Sequence, residues 1–276
     1  MTQALYRTID HVMIRLLKIE PLFSLFSDVF GLPVSWPKQS SDFATFGWVN
    51  VGNTDLEFWA AASNADLPAD CQPPLVHGFA LDPADLSSSV SRLAELAIAC
   101  KAPRPYETLN AQGETVTNFT NSVVLDLSSP ACCIFFCAWD KNGDIFPWKE
   151  KLTPVERRAR DQKVFRHSAG GVLGLIGLCK IELLVEDVAA ASEKWRALTG
   201  SNSHPIALTD GMDGIDLELV AGTQHMIQSL TFEVRSLAVA RSFLAARDLL
   251  QSSTANELVL SSAVTGGLRF NIVQDR

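Results

Sequence analysis

Polar and apolar residues alternate along "TIDHVMIRL", residues 8–16, with Val12, Ile14 and Leu16 on one face and Ile9, His11, Met13 and Arg15 on the other. A period of two is the signature of a β-strand. The next stretch, "EPLFSLFSDVFGLP", changes period: Leu22, Phe23, Phe26 and Phe30 fall at helical spacing, and Gly31 and Pro33 supply stop signals. Strand patterns return in "FATFGWVNVG" and "TDLEFWAA". The opening residues therefore predict a strand, a helix and a meander of strands.

That order recurs three times. "VHGFALD" is followed by a helix over "PADLSSSVSRLAELAIAC", opened by Pro83 and Asp85, and by strands in "VTNFTNSVVLDLS" and "CCIFFCAW". Residues 140–173 break the rhythm with turn chemistry and then a basic, helix-like segment that ends at Gly170 and Gly171. A third unit reads as "GLCKIELLVED", the helix "VAAASEKWRALTG" capped by Gly200, and "GIDLELVAG", which echoes "TDLEFWAA". The fourth is "IQSLTFEV", the helix "SLAVARSFLAARDLLQ", and strands in "NELVLSSA" and "LRFNIVQD".

A single βαβββ unit has a short curved sheet whose concave face it cannot cover, so units must pair. The expected fold is α+β: four βαβββ modules forming two domains with curved, mixed, mostly antiparallel sheets. An N-terminal domain would span 1–139, with modules at about 4–60 and 73–139; a partly helical connector would span 140–173. A C-terminal domain would span 174–276, with modules at about 174–221 and 225–276.

Composition narrows the partners. A chain of 276 residues, 47% hydrophobic and 20% charged, can bury a core, and a formal charge of −8 argues against a general nucleic-acid surface. A small-molecule substrate is the expected partner, with no nucleic acid and no membrane; a homo-oligomer stays open. Arg7, Asp10, Arg15, Lys18 and Glu20 interrupt any apolar leader, and "GGVLGLIGLC" is far shorter than the roughly 20 residues of a membrane span. Cytoplasmic location is the expectation. The six cysteines form no C-x-x-C pair, and Cys132, Cys133 and Cys137 in "PACCIFFCAW" read as strand packing in a reducing compartment. Arg157, Arg158, Arg160, Lys163 and Arg166 read as the solvated face of a bridging helix rather than an anion site. Gly170 and Gly171 read as a hinge, and His167, His204 and His225 receive no role.

Candidate chemistry rests on three strands that carry His11, Glu57 and His77 among apolar neighbours. A buried glutamate costs several kcal/mol to keep ionised unless a cation or hydrogen bonds compensate it. Two imidazoles and one carboxylate on one side of an ion make the facial set that suits non-haem Fe(II). Strand parity adds Met13 and Arg15 beside His11, Asp55 and Trp59 beside Glu57, and Phe79 beside His77, with Phe135 as a further apolar wall of a substrate pocket. The plain alternatives stay open: an inward histidine is commonly a hydrogen-bonded core residue, and Glu57 is able to pair with Arg15.

Four βαβββ units, each opening on a strand like "IDHVMI" and closing on one like "DLEFW", resemble the vicinal oxygen chelate superfamily over nearly the whole chain outside the connector. That superfamily includes glyoxalase I, methylmalonyl-CoA epimerase, fosfomycin-resistance proteins and extradiol ring-cleaving dioxygenases. Its metal ligands come from the first and last strands of paired units, and the matching positions are His11, Glu57 and His77. The fourth falls near Phe135, with no carboxylate before Asp140. The C-terminal counterparts, Cys179, Glu218, Gln228 and Arg269, lack both histidines, which implies a metal-free second pair. The resemblance implies a divalent ion, Fe(II) foremost and Mn, Ni or Zn otherwise. It implies a metalloenzyme acting on a substrate with vicinal oxygens, dioxygenase-type ahead of a glyoxalase- or epimerase-type lyase or isomerase. A non-catalytic, drug-sequestering binding protein is the third reading. The absent fourth carboxylate weakens the isomerase, and a carboxylate in the earlier unit weakens the oxygenase.

Overall fold

The computed structural model describes residues 5–63, 71–209 and 214–275. The first unit runs β1 (Tyr6–Arg15), a helical turn α1 (Leu22–Ser24) that continues as a π-turn over Leu25–Val29, then β2 (Val34–Ser40), β3 (Ala44–Asn50) and β4 (Asp55–Ala61). The second is β5 (Leu75–Pro83), α2 (Leu86–Glu95), β6 (Arg104–Leu109), β7 (Thr115–Val123) and β8 (Cys133–Trp139). Helix α3 (Pro154–Ser168) follows, then β9 (Leu175–Val185), α4 (Val188–Thr199), β10 (Ile206–Ala207) and β11 (Asp216–Ala221). The last unit is β12 (Met226–Val234), α5 (Leu237–Ala245), β13 (Leu250–Ser253), β14 (Glu257–Leu260), α6 (Ser262–Thr265) and β15 (Arg269–Gln274). Among the described residues the third unit has two strands after its helix instead of three.

Local chemistry sets the helix ends. Asp85, Asp187 and Ser236 each accept a hydrogen bond from the backbone N–H three residues on, at 2.7, 3.0 and 3.3 Å. Thr153 and Glu156 form a reciprocal capping box at the start of α3. Among the described residues no helix is long and apolar enough to cross a membrane.

In each half the opening strands of the two units are antiparallel neighbours (β1 with β5, β9 with β12). Each opening strand runs parallel to the last strand of its own unit. The halves join where Ile227 pairs with Val76, so all fifteen strands belong to one mixed sheet. One apolar cluster lies on the helix side and crosses both halves: Phe26 of the first unit meets Phe232 and Phe270 of the last at ring distances of 5.9 and 5.6 Å. Each fully buried ring of this kind contributes about 1.5–3 kcal/mol.

Two irregularities in this frame decide where the site residues point. Ile9 pairs with Leu81 and His11 with Ala80, so Asp10 is an extra residue in β1. Ile9 therefore joins Val12 and Ile14 in the helix-side core, not the face of His11 that unbroken alternation predicts. Across the pair, Met13 faces Gly78 and Ile14 faces Val76, so His77 is the extra residue in β5. Gly78 has φ +132°, and a Cβ there would lie 1.9 Å from the Cys133 carbonyl oxygen, so only glycine fits. Past this bulge Phe79 turns to the helix side and stacks on Trp195 at 5.8 Å, contrary to its expected place on the pocket wall.

Both bulges recur in the second half, at Cys179 and Gln228. Cys179 thus corresponds to Asp10, and the counterpart of His11 is Lys180, one residue beyond the position matched by sequence. Lys180 Nζ lies 2.6 Å from Glu218 Oε2.

Candidate functional site

β1 and β4 run side by side, with His11 opposite Asp55 and Met13 opposite Glu57. His11 Nε2 lies 3.6 Å from Glu57 Oε2, too far for a hydrogen bond. The other ring nitrogen, Nδ1, is 2.8 Å from Asp10 Oδ2, a contact that the bulge makes possible between adjacent residues. Asp10 Oδ2 also accepts from Trp139 Nε1 at 2.9 Å, and Asp10 Oδ1 is held by the guanidinium of Arg157 on α3. Asp10, His11 and Arg157 are only 3, 4 and 5% exposed, so these contacts replace water almost completely.

Electrostatics follow from that burial. Desolvation would raise the Asp10 carboxyl, but the Arg157 charge and the His11 contact outweigh it and hold it well below the usual range. Burial would lower His11, yet its hydrogen bond to Asp10 and the charge of Glu57 leave it raised. Glu57 is raised, chiefly by burial. The basic stretch of α3 is therefore not simply a solvated face: Arg157 is buried on Asp10, and Arg158 reaches Asp82, which Arg7 also binds at 2.6 Å.

His11 and Glu57 line a cavity of about 410 Å³ whose walls include Trp36, Trp48, Trp59 and Trp139. His11 lies 4.5 Å from the Trp48 ring centroid, and Trp48 lies 5.9 Å from Trp139. Phe43 and Tyr106 also line it and are 58 and 39% exposed, which puts them at its mouth. The indole N–H of Trp36 and the side-chain oxygen of Asn121 are buried in this lining without a hydrogen-bond partner, while the Trp48 indole N–H is directed at the Glu57 carboxylate.

Of the residues expected around the pocket, Met13, Trp59 and Phe135 line the cavity. Asp55 instead accepts from Ser35 at 2.7 Å and Asn50 at 3.1 Å beneath α3. Arg15 lies over the Trp59 ring, 4.2 Å from its centroid, and is not part of the lining. His77 is also outside the lining: the bulge turns its Nε2–H towards the Pro130 carbonyl at 3.2 Å. Burial and then the Arg15 charge push its pKa down to about 4.

Among the described residues no group of three His, Cys, Asp or Glu side chains is arranged to hold a metal ion. His11 and Glu57 supply two donors, Phe135 supplies none, and His77 faces a carbonyl. The donor set does not fit a three-ligand Fe(II) centre. Sequence reasoning missed Asp10, Arg157 and Trp139. On a regular strand Asp10 would point away from His11, and nothing in the chain signals the bulge.

No family model matches the sequence, and no curated protein matches it. Solved structures do match. A hypothetical protein from Staphylococcus aureus superimposes with a TM-score of 0.60 at 11% identity, over 97% of this chain and 99% of that one. A triple mutant of 4-hydroxymandelate synthase from Streptomyces coelicolor gives 0.59 at 11%, over 98% and 92%. The 2,3-dioxygenase LapB from Pseudomonas sp. KL28 gives 0.57 at 11%, over 99% and 94%. The chain has the vicinal oxygen chelate fold, with its recurring βαβββ units and mixed sheet.

Proposed function

We propose that the cavity between β1, β4 and β8 binds a flat, largely apolar small molecule that carries oxygen, with His11 and Glu57 as its polar anchor. The observation that carries this reading is the lining: four tryptophans surround two groups able to hold charge near neutral pH. Ligand sites of this kind are mostly apolar with a few placed polar groups. The unpartnered indole N–H of Trp36 adds a donor for a ligand oxygen. Of the three functions the sequence suggested, this favours the non-catalytic binding protein.

2-Naphthol, a flat bicyclic phenol, tests the reading through quenching of tryptophan emission. Saturable one-to-one binding, weakened about tenfold in Glu57→Gln by loss of a charged hydrogen-bond partner, supports it. No binding by the wild-type chain refutes it.

A metal-dependent oxygenase is the second reading. It is favoured by one distance: ligands each about 2.0–2.2 Å from an ion fit atoms 3.6 Å apart, and Asp10 stands behind His11 as an outer-shell carboxylate does. It predicts stoichiometric Fe, Mn, Ni or Zn in the purified protein. Elemental analysis without that ion, in protein that binds 2-naphthol, excludes it.

A further inference from the structure

We propose that Arg157 of α3 is the positioning residue of this site: it anchors the Asp10 carboxylate, and Asp10 in turn fixes which ring nitrogen of His11 faces the cavity. The inference rests on the reading of His11 as the ligand's polar anchor. Arg157 lies outside both pairs of βαβββ units, 147 residues from Asp10 in sequence, yet it binds the carboxylate from behind. The two carboxylate oxygens have separate tasks. Oδ1 is taken by Arg157, while Oδ2 receives Trp139 Nε1 at 2.9 Å and His11 Nδ1 at 2.8 Å.

Such an arrangement has one consequence for the imidazole. With the proton of Nδ1 donated to Asp10, a neutral His11 presents an unprotonated Nε2 to Glu57 and to any ligand. Without Arg157 the carboxylate Oδ1 loses its only hydrogen-bond partner among the described residues and keeps only the guanidinium of Arg158, 3.9 Å away. Asp10 is then held on one side only, through Trp139, and the carboxylate that draws the proton to Nδ1 is no longer fixed by a direct hydrogen bond to a guanidinium. Arg157 is itself locked, with its guanidinium 5.1 Å from the Trp139 ring centroid and more than nine-tenths of its surface buried. The connector thereby becomes a support behind the site, a role that its basic composition alone does not suggest.

The test reads the His11 tautomer by nitrogen-15 NMR of the imidazole in the full chain at alkaline pH, where the ring is neutral. The wild type should hold its proton on Nδ1. Arg157→Gln should move it to Nε2, the ordinary site in a free imidazole, and weaken 2-naphthol binding about tenfold, the worth of one hydrogen bond to His11. Arg157→Lys, which keeps a cation, should retain the Nδ1 proton. Should Arg157→Gln fail to fold, Arg157→Met keeps the aliphatic packing, removes the charge with Asp10 left in place, and must move the proton to Nε2. A folded variant of either kind with its proton still on Nδ1 overturns the proposal. The NMR measurement needs no ligand, so failure of naphthol binding with a moved proton would sink the ligand reading and leave the positioning role standing.

Discussion

Acid should unfold this protein partly through His77, and replacing that residue should remove the effect. Its ordinary pKa of 6.5 falls to about 4 in the folded chain, because burial and the Arg15 charge oppose protonation. The sign follows directly. As pH drops through 6.5 the unfolded chain takes up a proton that the folded chain refuses until about pH 4, so stability is lost across that window. At about pH 4.5 the linkage relation gives a loss of about 2.5 kcal/mol, and solvent around the part-exposed ring trims this to about 2. His77→Gln keeps a donor for the Pro130 carbonyl and cannot be charged. Urea unfolding of both proteins at about pH 7.5 and 4.5 cancels every other titrating group. The wild type should lose about 2 kcal/mol more than the variant, or about 4–8 °C in Tm for a chain of this size. Parallel losses would mean that His77 is already free to ionise, and that its turn towards Pro130 is wrong.

Asp161 of α3 should act in the opposite direction. Burial and the charge of Asp55 raise it from 3.8 to about 6, so stability falls as pH rises through that interval. Asp161→Asn should therefore stabilise the protein by at most about 3 kcal/mol at pH 8 and leave it unchanged near pH 3, which urea titrations will check. Gly78→Ala should destabilise by more than about 2 kcal/mol, from positive φ and the 1.9 Å approach to Cys133; an unchanged melting temperature would refute the bulge. His77→Ala should leave 2-naphthol affinity within about twofold, since His77 does not line the cavity. A tenfold loss would return His77 to the site.

Much of the architecture was legible because it depends on periodicity and caps, both carried by single residues. The strand at "TIDHVMIRL", the stop at Gly31, the caps at Asp85 and Gly200 and the echo of "TDLEFWAA" in "GIDLELVAG" all concern local backbone preference. Side-chain direction beyond a bulge was not legible. One extra residue reverses every later side chain on its strand. Parity was therefore right for Met13, Trp59 and Phe135 and wrong for Ile9 and Phe79, which sit across Asp10 and His77 from the residues used to place them. The same limit hid Arg157: its spacing along α3 gives no hint of a carboxylate that only a bulge turns towards it.

That the bulges recur at Cys179 and Gln228 argues that they belong to the repeat itself rather than to any chemistry at His11. Each pair of units then presents the same two positions from neighbouring parallel strands: His11 with Glu57 in one half, Lys180 with Glu218 in the other. What differs is the separation and the surroundings. Lys180 and Glu218 close on each other at 2.6 Å, which satisfies both charges without a ligand. His11 and Glu57 stand 3.6 Å apart, with His11 tied back by Asp10 and the tryptophans leaving open volume in front. A pair held short of contact beside the unpartnered Trp36 indole and Asn121 oxygen has hydrogen-bonding capacity that the protein itself does not use. The open volume in front of His11 and Glu57, which the closed Lys180–Glu218 pair does not need, is the physical reason for proposing the ligand site in the first half.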